Sequence, residues 1–435
     1  MEAALPTEPS SPRAVPVAAD PLTVFVDAHR RGLPPSRGDK RFNAGEHVWL
    51  ASQGAERAMK TLRERAGIRL DENLLSEIPR REGRERLQYG ELVALSGDFY
   101  ETPDALFDER PSPLPWLWQS NDLSDLRAIF RDELRWIEDR LNGRGGASPY
   151  PSDNIRLAWN AKSYVELALR NFDHFGWHNL CAYCRHHERA MALAASTSGR
   201  RNEDFRRALY INAFADHFLT DGFAAGHVRV PRVEICDWAA GQGHSDKVAG
   251  ALSKLLHDQD GHARSLHAQQ ENIDGRESQD GLWVQNARGE DWYTYCDGQL
   301  FLEGAARSTA VDRAVSAVEA SVTEFLLAWQ RRDLPRGVYA ATEWVPFPHP
   351  GAQPLTDKFA SDMPDSGLEK LWNSIAWYAK VPWIAGLERH HLRSFLAALP
   401  QMMARFRERI AGEAERPEVR SRIDARYIAA YRGIG

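Results

Sequence analysis

Apolar side chains recur every three or four positions over five long stretches of this chain, the period of helices that turn one face inward. In the first, Leu126, Ile129, Phe130, Leu134, Ile137 and Leu141 follow a capping Ser124 and stop at Gly143 and the Gly145-Gly146 pair. A second covers residues 161–195 with an interruption at Gly176, and a third runs over 205–220 and ends near Gly222 and Gly226. Val311, Val315, Val318, Val322, Phe325, Leu326 and Trp329 mark the fourth. Leu392, Phe395, Leu396, Leu399, Met402, Met403, Phe406 and Ile410 mark the fifth, where Pro400 predicts a kink or break. Alternation is weak: only Gly281-Leu-Trp-Val and Trp292-Tyr-Thr-Tyr, joined through Ala287-Arg-Gly-Glu, predict a hairpin. The expected fold is mainly α, a multi-helix domain with a small β-hairpin and a C-terminal helical region. Residues 1–40, rich in proline, predict an irregular tail. Residues 41–330 then form the principal helical domain, and 331–435 a proline-rich connector followed by the C-terminal helices.

Composition narrows the class. The 435 residues, 43% hydrophobic and 27% charged, describe an ordinary globular chain able to bury a core without staples. With 55 basic against 61 acidic side chains, no overall positive field draws nucleic acid, and no nucleic-acid partner is expected. Four cysteines, Cys181, Cys184, Cys236 and Cys296, are too few for a disulfide framework. No apolar run reaches the roughly 18 residues that span a bilayer, so no transmembrane segment is expected. The first residues lack a basic-then-apolar signal peptide. The expected location is therefore cytoplasmic, or outside the cell by a non-conventional export route.

The stretch Asn212-Ala-Phe-Ala-Asp-His217-Phe-Leu-Thr-Asp221-Gly-Phe-Ala-Ala-Gly226-His227 carries the most chemistry. On a helix His217 and Asp221, four apart, share a face and can grip one cation. A straight helix would place His227 about 240° away from Asp221, so the chain must bend or end between Gly222 and Gly226 for the three to converge. The surroundings Ala213, Phe214, Phe218, Leu219 and Phe223 are apolar, and polar groups set among them need a partner that a metal can supply.

This segment resembles the zinc-dependent bacterial phospholipase C family, which shares its fold with single-strand-specific zinc nucleases and whose hallmark is His-x3-Asp-x5-His. The resemblance covers roughly residues 41–300 and implies a helical domain holding two to three zinc ions in a cleft, with Asp221 bridging two of them. It further implies an upstream His, Asp and His, supplied by His47 in Gly-Glu-His47-Val-Trp, by Asp98 in Leu-Ser-Gly-Asp98-Phe-Tyr, and by His174 in Asn-Phe-Asp-His174-Phe-Gly-Trp-His178. His178 lies one turn away, and His174 is preferred for its place beside an aromatic residue. Downstream the family needs a further His with a carboxylate about one turn later. Leu-His257-Asp258-Gln-Asp260-Gly resembles a subgroup without a signal peptide, followed there by stretches like Gly281-Leu-Trp-Val-Gln-Asn-Ala-Arg-Gly and Tyr295-Cys-Asp297-Gly; His257 and Asp260 are chosen as ligands. His267 with Glu271 has the i,i+4 spacing directly, and His244 is also available. Secreted members of the family use a free N-terminal amino group as a ligand for the metal that His47 would bind; here 46 residues precede His47, so either Glu46 or another carboxylate substitutes, or that site is weaker or empty.

The implied activity is hydrolysis of the glycerol-side phosphodiester of phosphatidylcholine or a related phospholipid at a membrane surface, with Asp98 both a ligand and the group that orients or deprotonates the water. Asp216 and Asp173 are candidates to hold ligating imidazoles by their other nitrogen. Trp49, Phe99, Tyr100 and Trp177 are candidate choline-cage faces, weighed against core packing. Arg229 and Arg232 are candidate phosphate contacts. Cys181-Ala-Tyr-Cys184 is read as two packed helical thiols rather than a structural zinc site. Two alternatives stand: a nuclease or other phosphoesterase of the same fold, and a non-catalytic helical effector that metal stabilises.

Overall fold

The computed structural model describes residues 44–80, 85–108, 123–144, 171–197, 202–261, 281–301, 305–375, 377–381 and 386–434, together with 149, 167 and 199. It is mainly helical, as the periodicity predicts. In chain order the principal helices are α1 (Ala44–Arg65), α2 (Tyr89–Leu95), α3 (Leu123–Leu141), α4 (Gly176–Ser196), α5 (Glu203–Asp221), α6 (Ala225–Arg229), α7 (Arg232–Gly241), α8 (Asp246–Asp260), α9 (Ala305–Arg331), α10 (Arg389–Ala414) and α11 (Ala425–Arg432). The tail read over 1–40, the start of the second predicted helix and the His267–Glu271 pair lie outside the described residues.

Helix α5 is the axis of the fold. Asn202 caps it by accepting the amide of Asp204 at 2.8 Å, and Glu203 and Asp204 face the positive end of the helix dipole. From Ala208 to Asp221 every residue is buried. Helices α1, α2, α4 and α9 pack around it. A helix enclosed on all sides is ordinarily apolar throughout, yet α5 carries Asn212, Asp216, His217, Thr220 and Asp221 into the core.

The β structure is small. Strands β1 (Ile78–Pro79) and β2 (Arg86–Leu87) pair antiparallel, and β3 (Leu282–Gln285) pairs with β4 (Asp291–Thr294) as the predicted hairpin, Val284 opposite Trp292. A fifth strand that the pattern does not reveal, β5 (Phe347–Pro348), extends that sheet from within the proline-rich segment. It is an edge strand of two residues, where proline is tolerated.

Pro400 neither breaks nor ends α10, which runs unbroken from Arg389 to Ala414. The residue is exposed, so water can take the carbonyl that its missing N–H leaves without a partner. This C-terminal region sits directly on the helices of the core. Trp177 Nε1 donates to Glu413 at 2.9 Å, Arg409 pairs with Glu234 at 2.7 Å, and the Tyr431 hydroxyl donates to the carbonyl of Val228. Among the described residues no helix is long and apolar enough to cross a membrane.

Candidate metal centre

The chain brings one polar cluster together at the C-terminal end of α5. His217 and Asp221 share the inner face of that helix, and Asp221 is its hub. The Oδ1 atom of Asp221 lies 3.4 Å from Nε2 of His47 on α1, while Oδ2 lies 2.8 Å from Nδ1 of His174 and 3.6 Å from Nε2 of His217. His227 Nδ1 is 3.9 Å from the same oxygen. After Asp221 the chain leaves the helix through Gly222-Phe-Ala and re-enters one at α6, which returns His227 to the cluster.

Two glycines make these approaches possible. Gly97 adopts a φ of +71°, and a Cβ there would meet the His217 ring at 2.5 Å and His174 at 2.9 Å, so only glycine lets Asp98 come this close. At Gly226 the constraint is space: a Cβ would lie 2.3 Å from the His257 ring. The bend itself passes through Gly222 with an ordinary right-handed φ of −57°, so the helix ends there without a glycine-only conformation.

Three groups of side chains are close enough to hold a metal ion, the candidate ligand atoms of each lying within 4.8 Å of one another: His47, Asp98 and His217; His174, His217 and Asp221; and His227, His257 and Asp297. All but Asp98 are buried, and half-buried Asp98 forms the rim. His47, Asp98, His174, His217, Asp221, His227 and His257, read as ligands from the sequence, all fall within these three groups.

Asp260 does not. Its carboxylate is taken by Arg229, with Nε to Oδ2 and Nη2 to Oδ1 both at 2.7 Å, and Lys358 adds a third contact at 3.6 Å. The carboxylate facing His257 and His227 is Asp297, which follows β4, with Oδ2 at 2.9 Å and 3.6 Å from their Nε2 atoms. Arg229 is likewise committed to Asp260 and to the carbonyl of Gln353 rather than open to a phosphate.

The other candidates also find structural places. His178 faces Glu413 at 3.6 Å, and His244 packs on His391, both outside the three groups. Glu46 accepts the amide of Gly298 at 2.9 Å, which ties α1 to the loop carrying Asp297. Asp216 accepts from Tyr89 and Ser321 instead of supporting an imidazole, and Asp173 stands 4.0 Å from His174. Trp177 is buried and bonded to Glu413, Phe99 packs edge-on to Phe130, Tyr100 is buried, and Trp49 meets Phe301 edge-on, so these aromatics are packing residues. Arg232 lies over the Phe175 ring. The four cysteines are free, and burial pushes the Cys181 thiol up to about 12, as expected of packed thiols rather than ligands.

Hydrogen bonding prepares the imidazoles. His217 and His227 face the carbonyls of Val93 and His174 through Nδ1 at 3.1 and 2.7 Å, and a carbonyl can only accept. His47 faces the Thr220 hydroxyl at 2.8 Å, whose own proton is directed to the carbonyls of Asp216 and His217. His257 faces the Asp258 carboxylate at 3.0 Å. Each of the four can thus donate from Nδ1 and face the centre with Nε2, the arrangement in which a metal can replace a proton on Nε2.

Electrostatics point the same way. Burial pushes Asp221 up, but His227 and His217 outweigh it and hold its carboxyl well below the usual range. Burial lowers His227, yet Asp221 and Asp297 raise it to about 9. Burial also pulls His217 well below its ordinary value, leaving a neutral donor. The carboxylates call for positive charge between the imidazoles, which a cation supplies as well as a proton does. Nε2 of His217 is buried without a hydrogen bond among the described residues, and buried Asp297 faces the imidazoles of His257 and His227. An unpaired buried polar group costs about 1–3 kcal/mol, and more if charged, so the donor set fits a cation. Nitrogen and carboxylate oxygen suit zinc and its divalent neighbours.

Compared with protein-family models, characterised proteins and solved structures, the chain matches none.

Proposed function

We propose that this chain is a zinc-dependent phosphodiester hydrolase, and that its substrate is a phospholipid cleaved on the glycerol side of the phosphate, as in phospholipase C. One observation carries the reading: the His-x3-Asp-x5-His stretch meets His47 and His174 at Asp221, Asp98 beside His217, and His257 and Asp297 at His227, all from distant elements. His174, His217 and Asp221 would hold one ion and His227, His257 and Asp297 a second, while His47 and Asp98, grouped with the same His217, would complete the set beside the first. Bound there, zinc supplies a water of near-neutral pKa and positive charge beside the departing alkoxide.

The protein's own part is positional and electrostatic. Three carboxylates, Asp98, Asp221 and Asp297, stand against four positive charges from two divalent ions, so the centre keeps a net positive charge suited to a phosphodiester monoanion. Asp98, half-buried at the rim, is placed to orient the attacking water and take its proton, while the enclosed imidazoles hold their Nε2 atoms fixed. The acidic balance of the whole chain favours a lipid over a polynucleotide.

The test is an assay of the zinc-loaded protein on phosphatidylcholine vesicles and, in parallel, on single-stranded DNA. Diacylglycerol release that prolonged chelation abolishes and zinc restores is expected. Activity that survives chelation would overturn the metal mechanism, and preferential cleavage of DNA would transfer the protein to the nuclease reading.

A further inference from the structure

Among the four imidazoles whose Nδ1 is turned away from the centre, His257 differs in what it faces. His217 and His227 are held by backbone carbonyls and His47 by a hydroxyl, all neutral, whereas His257 is held by the carboxylate of Asp258. The second oxygen of that carboxylate receives Lys254 Nζ at 2.7 Å. Lys254, His257 and Asp258 stand at i, i+3 and i+4 on α8, so one turn of helix sets the whole line. The side chains of His257 and Asp258 are 6% and 8% exposed, and that of Lys254 is 16%, so the chain of charges runs from the metal centre towards the surface. Its outer end is covered by the C-terminal region, where Ser374 and Ile375 line a recess with Lys254 and Asp258.

We infer that Asp258, steadied by Lys254, is a positioning residue that fixes the orientation and donor strength of His257, and so selectively strengthens the metal site formed with His227 and Asp297. A carboxylate accepting Nδ1–H makes Nε2 a stronger donor than a carbonyl does, and it fixes the ring plane. The lysine holds the carboxylate's second oxygen, so Asp258 cannot swing into the centre as a ligand. This inference rests on the reading of His257 as a metal ligand and is independent of which phosphodiester is cleaved.

The experiment compares the zinc- and cobalt-loaded full chain with Asp258→Asn, which keeps the size and an accepting oxygen but removes the charge, with Asp258→Ala, and with Lys254→Met. Metal affinity is read by competition with a chromophoric chelator, stoichiometry by elemental analysis, and ligand geometry by the visible absorption of bound cobalt. Loss of affinity for one ion, about 10-fold in Asp258→Asn and up to about 100-fold in Asp258→Ala, is expected, with a smaller loss in Lys254→Met. The cobalt spectrum should change for that ion alone, and the ions around Asp221 should keep their affinity. Unchanged affinity and spectrum in Asp258→Asn would overturn the inference. Equal weakening of every ion would overturn it too, because that would mark a general structural role. A wild-type chain that binds zinc as expected but hydrolyses no lipid would remove the lipase reading alone; one that binds none would remove both.

Discussion

Helix α5 carries two buried polar constellations side by side, and the contrast between them shows which is built for a ligand. Asp216 is enclosed, but its oxygens accept from Tyr89 at 2.7 Å and from Ser321 at 2.5 Å, and Asn212 in turn donates to the Tyr89 hydroxyl. That network links α2, α5 and α9 and is complete within the protein. One residue further on, His217 presents a buried Nε2 with no hydrogen bond, opposite Asp221. Burial is equal; satisfaction is not. Asp260 repeats the lesson against Asp297, since the first is saturated by Arg229, whereas the second faces the ring nitrogens of His257 and His227. Candidate ligand atoms that converge on one another, rather than buried polarity as such, mark the centre.

The sharpest break of this contrast is on the unsatisfied side. Asp221→Ala and His217→Ala should each lower hydrolysis at least ~1,000-fold and reduce zinc per chain; normal zinc in both would remove the assignment. On the satisfied side, Asp260→Ala leaves Arg229 buried without its partner. It should cost about 3–5 kcal/mol of stability in a denaturant titration, with zinc per folded chain retained. Normal stability with lost zinc would make Asp260 a ligand after all.

A smaller effect follows from Asp216, whose carboxyl is pushed up to about 7, chiefly by burial, against lowering contacts from Ser321 and Tyr89. A folded pKa above the unfolded value of roughly 3.9 means that the folded state keeps the proton longer. The group's contribution to stability is complete below pH about 4 and is lost as pH rises through about 7. Asp216→Asn should therefore gain on the wild type in unfolding midpoint between pH 5 and pH 8; a difference that does not change with pH would contradict the shift. The smallest effect belongs to Cys181→Ala, expected to cost under about 1 kcal/mol and to leave zinc content unchanged. Loss of an ion there would give the CxxC pair a metal role.

Most of this was open to reading from the residues. The helical periods of 205–220 and 311–329 emerge as α5 and α9, because a long amphipathic or buried segment has one way to hide its apolar face. His217, Asp221 and His227 could be placed because their geometry is local, fixed by one helix and one bend. Asp297 escaped because it follows a β-hairpin, outside any helical register with His257. The i,i+3 neighbour Asp260 looked better placed until Arg229, 31 positions away in the chain, claimed it. Charge pairing at that separation leaves no periodic trace. The stretch Tyr295-Cys-Asp297-Gly was nonetheless conspicuous, and the signal that would have singled out its carboxylate is the basic residue two positions after His227, which needs an acid of its own. Strand β5 is hidden by Pro348 and by the prolines on either side of it, Pro346 and Pro350, and the course of α10 through Pro400 depends on solvent exposure that the sequence pattern alone does not specify.

The central claim is that imidazoles and carboxylates from separate helices gather to hold divalent cations side by side. Elemental analysis of the purified full-length chain, loaded with zinc and dialysed, tests it most directly. Two to three zinc ions per chain are predicted, falling by one in Asp297→Ala; a chain that retains none would contradict the account.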